Sequence, residues 1–277
     1  MNRSTRLRAL ARQTVAIVEA GVYVAPSGRI VSIQESVRRA AAGIRLYGPD
    51  PLPLPGVSSS SDRMTRVEVT GESGLAAARH LLRDEGLPRE VLNCASARHP
   101  GDGFLNGASA QEESLCRASA LYVCLLGAPE YYDDQRNHRD VFYTDRVIVS
   151  PHMPVFRNDS GGLLEEPHHV SFLTAAAPNA GVIARERPEA LACIAAVLRA
   201  RSAQVLAVAA HEGLQCLVLG AWSYGVFGNS PLHVASAFRA HLDDGKFAND
   251  FRRIVFAVLD PREDSPTRAA FNQVFST

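Results

Sequence analysis

Short apolar runs alternate with amphipathic segments along most of the chain, and this alternation limits the folds that are open to it. The predicted strands are Thr65–Thr70, Val91–Ala95, Arg146–Ser150, His169–Thr174, Cys216–Gly220 and Ile254–Leu259. The predicted helices between and beside them are Gly74–Glu85, Ala110–Leu125, Pro188–His211 and Pro231–Leu242. Near-continuous apolar strands are typical of a sheet that helices cover on both faces. The pattern therefore predicts an α/β protein, a three-layer sandwich with a mixed sheet.

The first part of the chain has a different pattern. Apolar residues at helical spacing predict an amphipathic helix, with one face formed by Leu7, Leu10, Ala11, Val15 and Val18. Ser32 and Glu35 match a capping box, which predicts a second helix ending near Tyr47. The Pro- and Ser-rich stretch PDPLPLPGVSSSSDR predicts a linker or an exposed loop. We therefore predict an N-terminal helical extension (1–48), a linker or loop (49–63) and a core domain (64–277).

Composition and charge exclude several classes of protein. The 277 residues are 46% hydrophobic and 21% charged, as in a folded globular chain. The 29 Lys and Arg residues balance the 29 Asp and Glu residues, so direct nucleic-acid binding is not expected. No apolar run is long enough to predict a membrane span. The five cysteines include no C-x-x-C pair, which predicts neither a disulfide framework nor a metal site and fits a cytoplasmic protein.

Two glycine-rich loops each connect a predicted strand to a predicted helix. Loop one is Pro100–Gly107 (PGDGFLNG), and loop two is Gly220–Asn229 (GAWSYGVFGN). Glycine lets backbone N–H groups approach an anion, and ligands of open α/β sheets bind beyond the carboxyl ends of the strands. Two such loops at one edge could hold a diphosphate from two sides. The alternative is that either loop is only a tight turn, since neither matches the P-loop or the dinucleotide-binding pattern.

Two adjacent carboxylates follow loop one. Gln111, Glu112 and Glu113 begin the predicted helix, where acidic residues also suit the helix dipole, so a solvated first turn is the simple alternative. A carboxyl group beside a bound diphosphate should have a raised pKa, because like charge disfavours ionisation. A raised pKa suits a general acid for glycosidic cleavage.

These residues carry a resemblance to a known family. VLNCASARHPGDGFLNGASAQEESLCRASALY (91–122) resembles the signature of bacterial-type poly(ADP-ribose) glycohydrolases, in which a glycine triplet and a short spacer precede Gln-Glu-Glu. TRVEVTGES (65–73), the stretch from Phe142 to Gly181 and LVLGAWSYGVFGN (217–229) also resemble blocks of this family. The resemblance covers nearly the whole chain, including the N-terminal segment, and implies a macrodomain-like core.

The resemblance implies a role for each matching residue around loop one. Gly101 and Gly103 would hold the diphosphate and the distal ribose, and Ser96 would contact a ribose. Gln111 and Glu112 would orient the ribose hydroxyls, and Glu113 matches the catalytic acid.

The resemblance also implies ligand contacts elsewhere. The second diphosphate loop would be formed by Gly225, Val226, Phe227 and Gly228, with Phe227 packing on the distal ribose. Glu72, directly after a predicted strand, would reach the edge of the adenine, or it caps the next helix.

The chain departs from the family pattern in both loops. Asp102 takes the place of the middle glycine, and Ser223-Tyr224 takes the place of Gly-Cys. If the Asp102 side chain faces the diphosphate, repulsion should lower affinity and change which ADP-ribosyl substrate is accepted. Asp tolerates a positive φ better than most residues, if the position requires one.

The predicted function is that of a poly(ADP-ribose) glycohydrolase-like hydrolase, which binds ADP-ribose and cleaves the O-glycosidic ribose bond with a Glu general acid and no cofactor. One alternative is a reader that binds ADP-ribose without turnover, and another is a hydrolase of mono-ADP-ribosylated substrates. The expected partners are ADP-ribose or poly(ADP-ribose), and ADP-ribosylated proteins. We expect a monomer that binds neither nucleic acid nor membrane.

Overall fold

The computed structural model describes residues 2–53, 64–86, 89–138, 140–222, 225, 227–243, 246–260, 262 and 264–276. Most of the predicted linker, residues 54–63, lies outside this part of the chain, as do Ser223, Tyr224 and Val226 of loop two.

The strands and helices of the described chain are as follows, and most of them alternate after residue 64. The strands are β1 (Val22–Val24), β2 (Ile30–Ser32), β3 (Arg45–Tyr47), β4 (Arg66–Thr70), β5 (Arg89–Cys94), β6 (Val147–Arg157), β7 (Leu163–Ala175), β8 (Cys216–Leu219) and β9 (Arg253–Ala257). The helices are α1 (Arg3–Ala20), α2 (Gln34–Ala42), α3 (Gly74–Glu85), α4 (Gln111–Ala118), α5 (Leu121–Leu125), α6 (Pro129–Asn137), α7 (Ala180–Glu186), α8 (Ile194–His211), α9 (Pro231–Leu242) and α10 (Pro266–Phe275). Short 3₁₀ turns span Phe104–Asn106 and Pro188–Cys193.

A seven-stranded mixed sheet forms the middle layer, in the order β3-β6-β7-β5-β8-β9-β4. The strands from β7 to β4 pair in parallel, whereas β3, β6 and β7 pair antiparallel. One apolar core joins the sheet to helices α1 to α6, and a second joins its other face to α7 to α10. The predicted three-layer α/β/α sandwich with a mixed sheet is confirmed.

Helix α1 is attached to the core by polar as well as apolar contacts. Its buried residues are Ala11, Thr14, Ile17 and Val18, of which Ala11 and Val18 belong to the predicted apolar face. The buried Thr14 hydroxyl donates to the Arg117 carbonyl oxygen at 2.8 Å and accepts from Arg157 Nε at 3.1 Å. The N-terminal helix is thereby bonded to both α4 and β6.

The rest of the N-terminal segment contains strands that the sequence did not reveal. The helix predicted to end near Tyr47 in fact ends at Ala42, and no capping box forms, because Ser32 pairs in β2 and Ile33 is the N-cap. Gly43 follows the helix, and strand β3 then pairs with β6 in the main sheet. The division of the chain at residue 48 stays a prediction, since β3 belongs to the same sheet as the core.

Two other segments differ from the sequence prediction. The helix predicted over 110–125 is two helices, because Ser119 adopts an extended backbone and forms a β-bridge with Val155. Helix α6, which begins at Pro129 and buries Tyr131 and Tyr132, was not among the predicted helices. Five polar residues follow this aromatic pair in the helix, so the segment has no apolar stripe along its length.

One helical stretch, Pro188–His211, is long and apolar enough to cross a membrane by length and composition alone. Half of its most apolar window is buried inside the protein. Arg201, in the middle of this stretch, is 2% exposed and pairs with Asp145, which is the behaviour of a core helix.

Candidate active site

A cavity of about 380 Å³ lies beyond the carboxyl ends of β4, β5, β8 and β9. The segments that follow these parallel strands line its walls, and the start of α4 lines one end. This is the edge at which open α/β sheets bind ligands. The predicted loop one and the predicted loop two meet at this cavity, so parallel pairing has brought distant segments together.

The cavity collects most of the residues singled out in the sequence. Its lining includes Ser96, Asp102, Gln111, Glu112, Glu113, Gly225 and Phe227. Gly101, Gly103 and Gly228 lie in the two loops but outside the lining, and Val226 lies outside the described residues. The roles assigned to all these residues stay predictions.

The structure does not bring Glu72 to this cavity. Its carboxylate pairs with His80 Nδ1 at 2.6 Å, and both residues line a separate cavity. Glu72 does not cap α3 either, because the Ser73 hydroxyl accepts from Ala76 N at 3.0 Å as the N-cap. Ser73, rather than Glu72, lines the main cavity beside the start of α3.

Loop one is a tight turn that requires its glycines. Gly101 has φ +64° and Asp102 has φ +43°. A Cβ on Gly101 would lie 2.8 Å from the Tyr122 ring, and a Cβ on Gly103 would lie 2.6 Å from the Ala108 Cβ. The backbone N–H of Asp102 donates to the His99 carbonyl oxygen at 3.0 Å, so hydrogen bonds inside the loop fix its shape.

Gln111 attaches helix α4 to the sheet. Its Nε2 donates to the Leu92 carbonyl oxygen, and its Oε1 accepts from the Cys94 backbone N–H, both at 2.7 Å. The side-chain amide thus continues the ladder of strand β5. These two bonds fix the position of α4, on which both glutamates lie, while a contact between Gln111 and a ribose stays a prediction.

Glu112 is buried and held by hydrogen bonds. Its carboxylate accepts from the Ser96 backbone N–H at 2.7 Å and from Asn93 Nδ2 at 3.3 Å. Its pKa is raised to about 8, mainly by burial and to a lesser extent by Glu113 and Asp102, against the lowering effect of these two bonds. Glu112 is therefore largely protonated at neutral pH. Asn93 was missed in the sequence, although an amide inside the apolar run VLNC was a visible signal.

Glu113 is 2% exposed and lines the cavity. Burial is the main cause of its raised pKa, and Asp102 adds to it, whereas Arg117 and the Gly103 backbone N–H lower it. Its Oε2 has no hydrogen-bond partner among the described residues. The site thus presents a buried carboxyl group whose raised pKa favours the protonated form and whose Oε2, itself buried, forms no hydrogen bond with the described residues.

Arg117 supports this arrangement from behind the cavity. Its Nη1 donates to the Ala108 carbonyl oxygen at 2.6 Å, and its Nη2 donates to the Ser114 hydroxyl at 3.1 Å. The guanidinium thus connects the end of loop one with α4. Nothing in the sequence indicated this role, because Arg117 has the spacing of an ordinary helix residue.

The ends of loop two are anchored to the segment after β7. Trp222 Nε1 donates to the Ala175 carbonyl oxygen at 3.1 Å, and Asn229 Nδ2 donates to the Pro178 carbonyl oxygen at 2.9 Å. Between these anchors, Phe227 is half-buried and lines the cavity.

Within the described part of the chain, no group of three or more His, Cys, Asp or Glu side chains could hold a metal ion.

The mixed sheet between two helical layers, with a buried carboxyl pair at the edge formed by the strand ends, defines a macrodomain-like α/β protein. Residues 11–158 match the family model described as the catalytic domain of microbial-type poly(ADP-ribose) glycohydrolase. No curated protein matches this chain.

Solved structures agree with this match. A poly(ADP-ribose) glycohydrolase from Thermomonospora curvata, bound to the inhibitor ADP-HPD, is 48% identical, with a TM-score of 0.89 over 98% of this chain and 100% of that one. A poly(ADP-ribose) glycohydrolase from Deinococcus radiodurans, in complex with ADP-ribose, is 41% identical, with a TM-score of 0.78 over 88% of this chain and 98% of that one. The chain belongs to the microbial-type poly(ADP-ribose) glycohydrolase family, as its motifs predicted.

Proposed function

We propose that this chain hydrolyses the ribose–ribose O-glycosidic bond of poly(ADP-ribose), with Glu113 as the general acid. The observation that carries the proposal is the Glu113 carboxyl group, which is buried, has a raised pKa and keeps Oε2 without a partner among the described residues. A general acid must hold its proton until the leaving oxygen needs it, and burial has this effect.

Binding of the ADP-ribosyl group is assigned to the cavity between the two loops. Asp102 of loop one and Gly220 and Gly225 of loop two line the cavity. Backbone N–H groups of such loops can bind phosphate oxygens without a cation. The homologues crystallised with ADP-ribose and with ADP-HPD support a ligand of this class. Phe227 offers an apolar surface to the distal ribose.

The reaction needs only the protein and water. The bond between C1″ of the distal ribose and the 2′-oxygen of the preceding unit breaks as Glu113 transfers its proton to that oxygen. Positive charge develops on the distal ribose in an oxocarbenium-like transition state. Water then adds to C1″ and returns a proton to the Glu113 carboxylate, so that ADP-ribose is released and the acid is regenerated.

Glu112 takes a supporting role in this proposal. Its carboxyl oxygens are occupied by Ser96 N–H and Asn93, which hold it beside Glu113. In its protonated form it adds no second negative charge next to the acid. A monomeric state, a cytoplasmic location and contacts with ADP-ribosylated proteins stay predictions, as does the absence of binding to nucleic acid or membrane.

The test is release of ADP-ribose from purified poly(ADP-ribose), measured for the wild type, Glu113→Gln and Glu130→Gln. Glu130 is an exposed acid on α6 and serves as a control for the same chemical change. We expect Glu113→Gln to lower kcat by about 100-fold or more and Glu130→Gln to keep it. ADP-ribose binding without release of product would instead support a reader. Cleavage of mono-ADP-ribosylated peptides alone would support the second alternative.

A further inference from the structure

The acidic residues that line the cavity differ in how their charges are balanced. Asp260 pairs with Arg262 at 2.8 Å, and Asp159 accepts from the Ser73 hydroxyl at 2.8 Å with Arg79 at 4.0 Å. Glu112 and Glu113 are buried, and burial favours their neutral forms. The negative charge of each of these four groups is therefore offset by a cation or a hydrogen-bond donor, or disfavoured by burial.

Asp102 has no such compensation. Its side chain is exposed and lines the cavity. Among the described residues, no hydrogen bond or ion pair involves its carboxylate. The described lining of the cavity also contains no Lys, Arg or His. Asp102 thus supplies an unbalanced negative charge to the ligand site.

The backbone of loop one holds Asp102 at the cavity. Asp102 has φ +43°, a left-handed conformation that only Gly, Asn and Asp adopt readily. Its N–H donates to the His99 carbonyl oxygen inside the loop, so its backbone is part of the turn. Asp102 lines the cavity together with Glu112 and Glu113, and its negative charge raises the pKa of both.

From this geometry we propose that the charge of Asp102 weakens the binding of phosphate at loop one and so limits the affinity of the cavity for ADP-ribose. The proposal rests on the proposed function, because it concerns ligands of the same cavity. Backbone N–H groups can bind two phosphate oxygens well only if no negative charge lies beside them. A single exposed charge a few ångströms away should lower affinity about fivefold in a solvent-filled cavity.

The decisive measurement is ADP-ribose affinity by calorimetry at low and high salt. Asp102→Asn removes the charge and keeps the size, while Asp102→Gly removes both, and both residues tolerate the left-handed backbone. Asp243→Asn is the control for the same change in net charge. Asp243 is exposed, follows α9 directly and does not line the cavity. A thermal melt of each variant establishes that the loop remains folded.

We expect Asp102→Asn and Asp102→Gly to bind ADP-ribose about fivefold tighter at low salt, with the gain shrinking as salt screens the carboxylate. Asp243→Asn should behave as the wild type. A gain for Gly without one for Asn would assign the effect to size and overturn the charge proposal. Unchanged affinity in both, with an active wild type, would overturn it and leave the proposed function standing. No ADP-ribose binding by any variant, with no hydrolysis by the wild type, would overturn both.

Discussion

The two glycine-rich loops face the same cavity but are held in different ways. Loop one touches α1, where the Ser4 hydroxyl donates to the Asn106 carbonyl oxygen at 3.5 Å, and Arg117 fixes its end. Loop two is attached through Trp222 and Asn229 to the segment after β7. Loop one also carries charge beside two buried acids, whereas the described lining of loop two is uncharged. The comparison suggests that loop one sets the electrostatics of the site and loop two sets its shape.

Among the tests of this comparison, Gln111→Met is expected to have the largest effect on stability and kcat. The substitution keeps similar volume but leaves the Leu92 carbonyl and the Cys94 N–H of strand β5 without their partner. We expect unfolding to become easier by about 2–4 kcal/mol and kcat to fall at least tenfold, since α4 positions both glutamates. Urea unfolding and initial rates measure the two effects. Changes below twofold in rate would show that loop one keeps its geometry without the two hydrogen bonds of Gln111.

Trp222→Phe tests the loop-two half of the comparison. It removes the hydrogen bond to Ala175 in a fully buried site, which should cost about 1–3 kcal/mol of stability. If loop two sets shape, KM should rise while kcat stays close to the wild-type value. A fall in kcat with unchanged KM would contradict the division of roles between the loops.

A smaller effect is expected from Thr14→Val, which is nearly isosteric. The variant loses the bonds to the Arg117 carbonyl and Arg157 Nε, at a cost of about 1–2 kcal/mol. Thermal unfolding measures this loss. Because Arg117 supports loop one, ADP-ribose affinity should weaken slightly as well, and full retention of both quantities would mean that α1 does not support the site.

A further effect is a change of stability with pH. The folded-state pKa of Glu112, about 8, lies above the unfolded value near 4.3. Its contribution to stability is therefore complete below the unfolded pKa, declines as the pH rises, and is lost once the pH passes about 8. Glu112→Gln should flatten the stability profile across this window, which denaturant unfolding at several pH values measures. An unchanged slope would mean that another group causes the decline.

Local signals explain which parts of the fold were predictable. Helix α3 has the predicted bounds because Ser73 caps its start and Gly86, at φ +63°, ends it, and both act within a few residues. The pairing of β3 with β6 was not predictable, since it joins segments about a hundred residues apart. The helix predicted to end near Tyr47 ends at Ala42, and Ser32 pairs in the β1–β2 hairpin instead of capping it.

The sequence by itself determined the α/β class and the family, and it predicted the acid pair, because strand periodicity, loop glycines and Gln111-Glu112-Glu113 are contiguous patterns. Only the tertiary structure decided that Glu72 pairs with His80 away from the cavity and that Gln111 bonds to strand β5. The tertiary structure likewise decided which other side chains support the site, namely Asn93, Arg117 and Thr14. It also decided that Asp102 has no balancing cation among the described residues. Burial and hydrogen bonding between distant segments set these properties, and they exist only once the sheet has assembled.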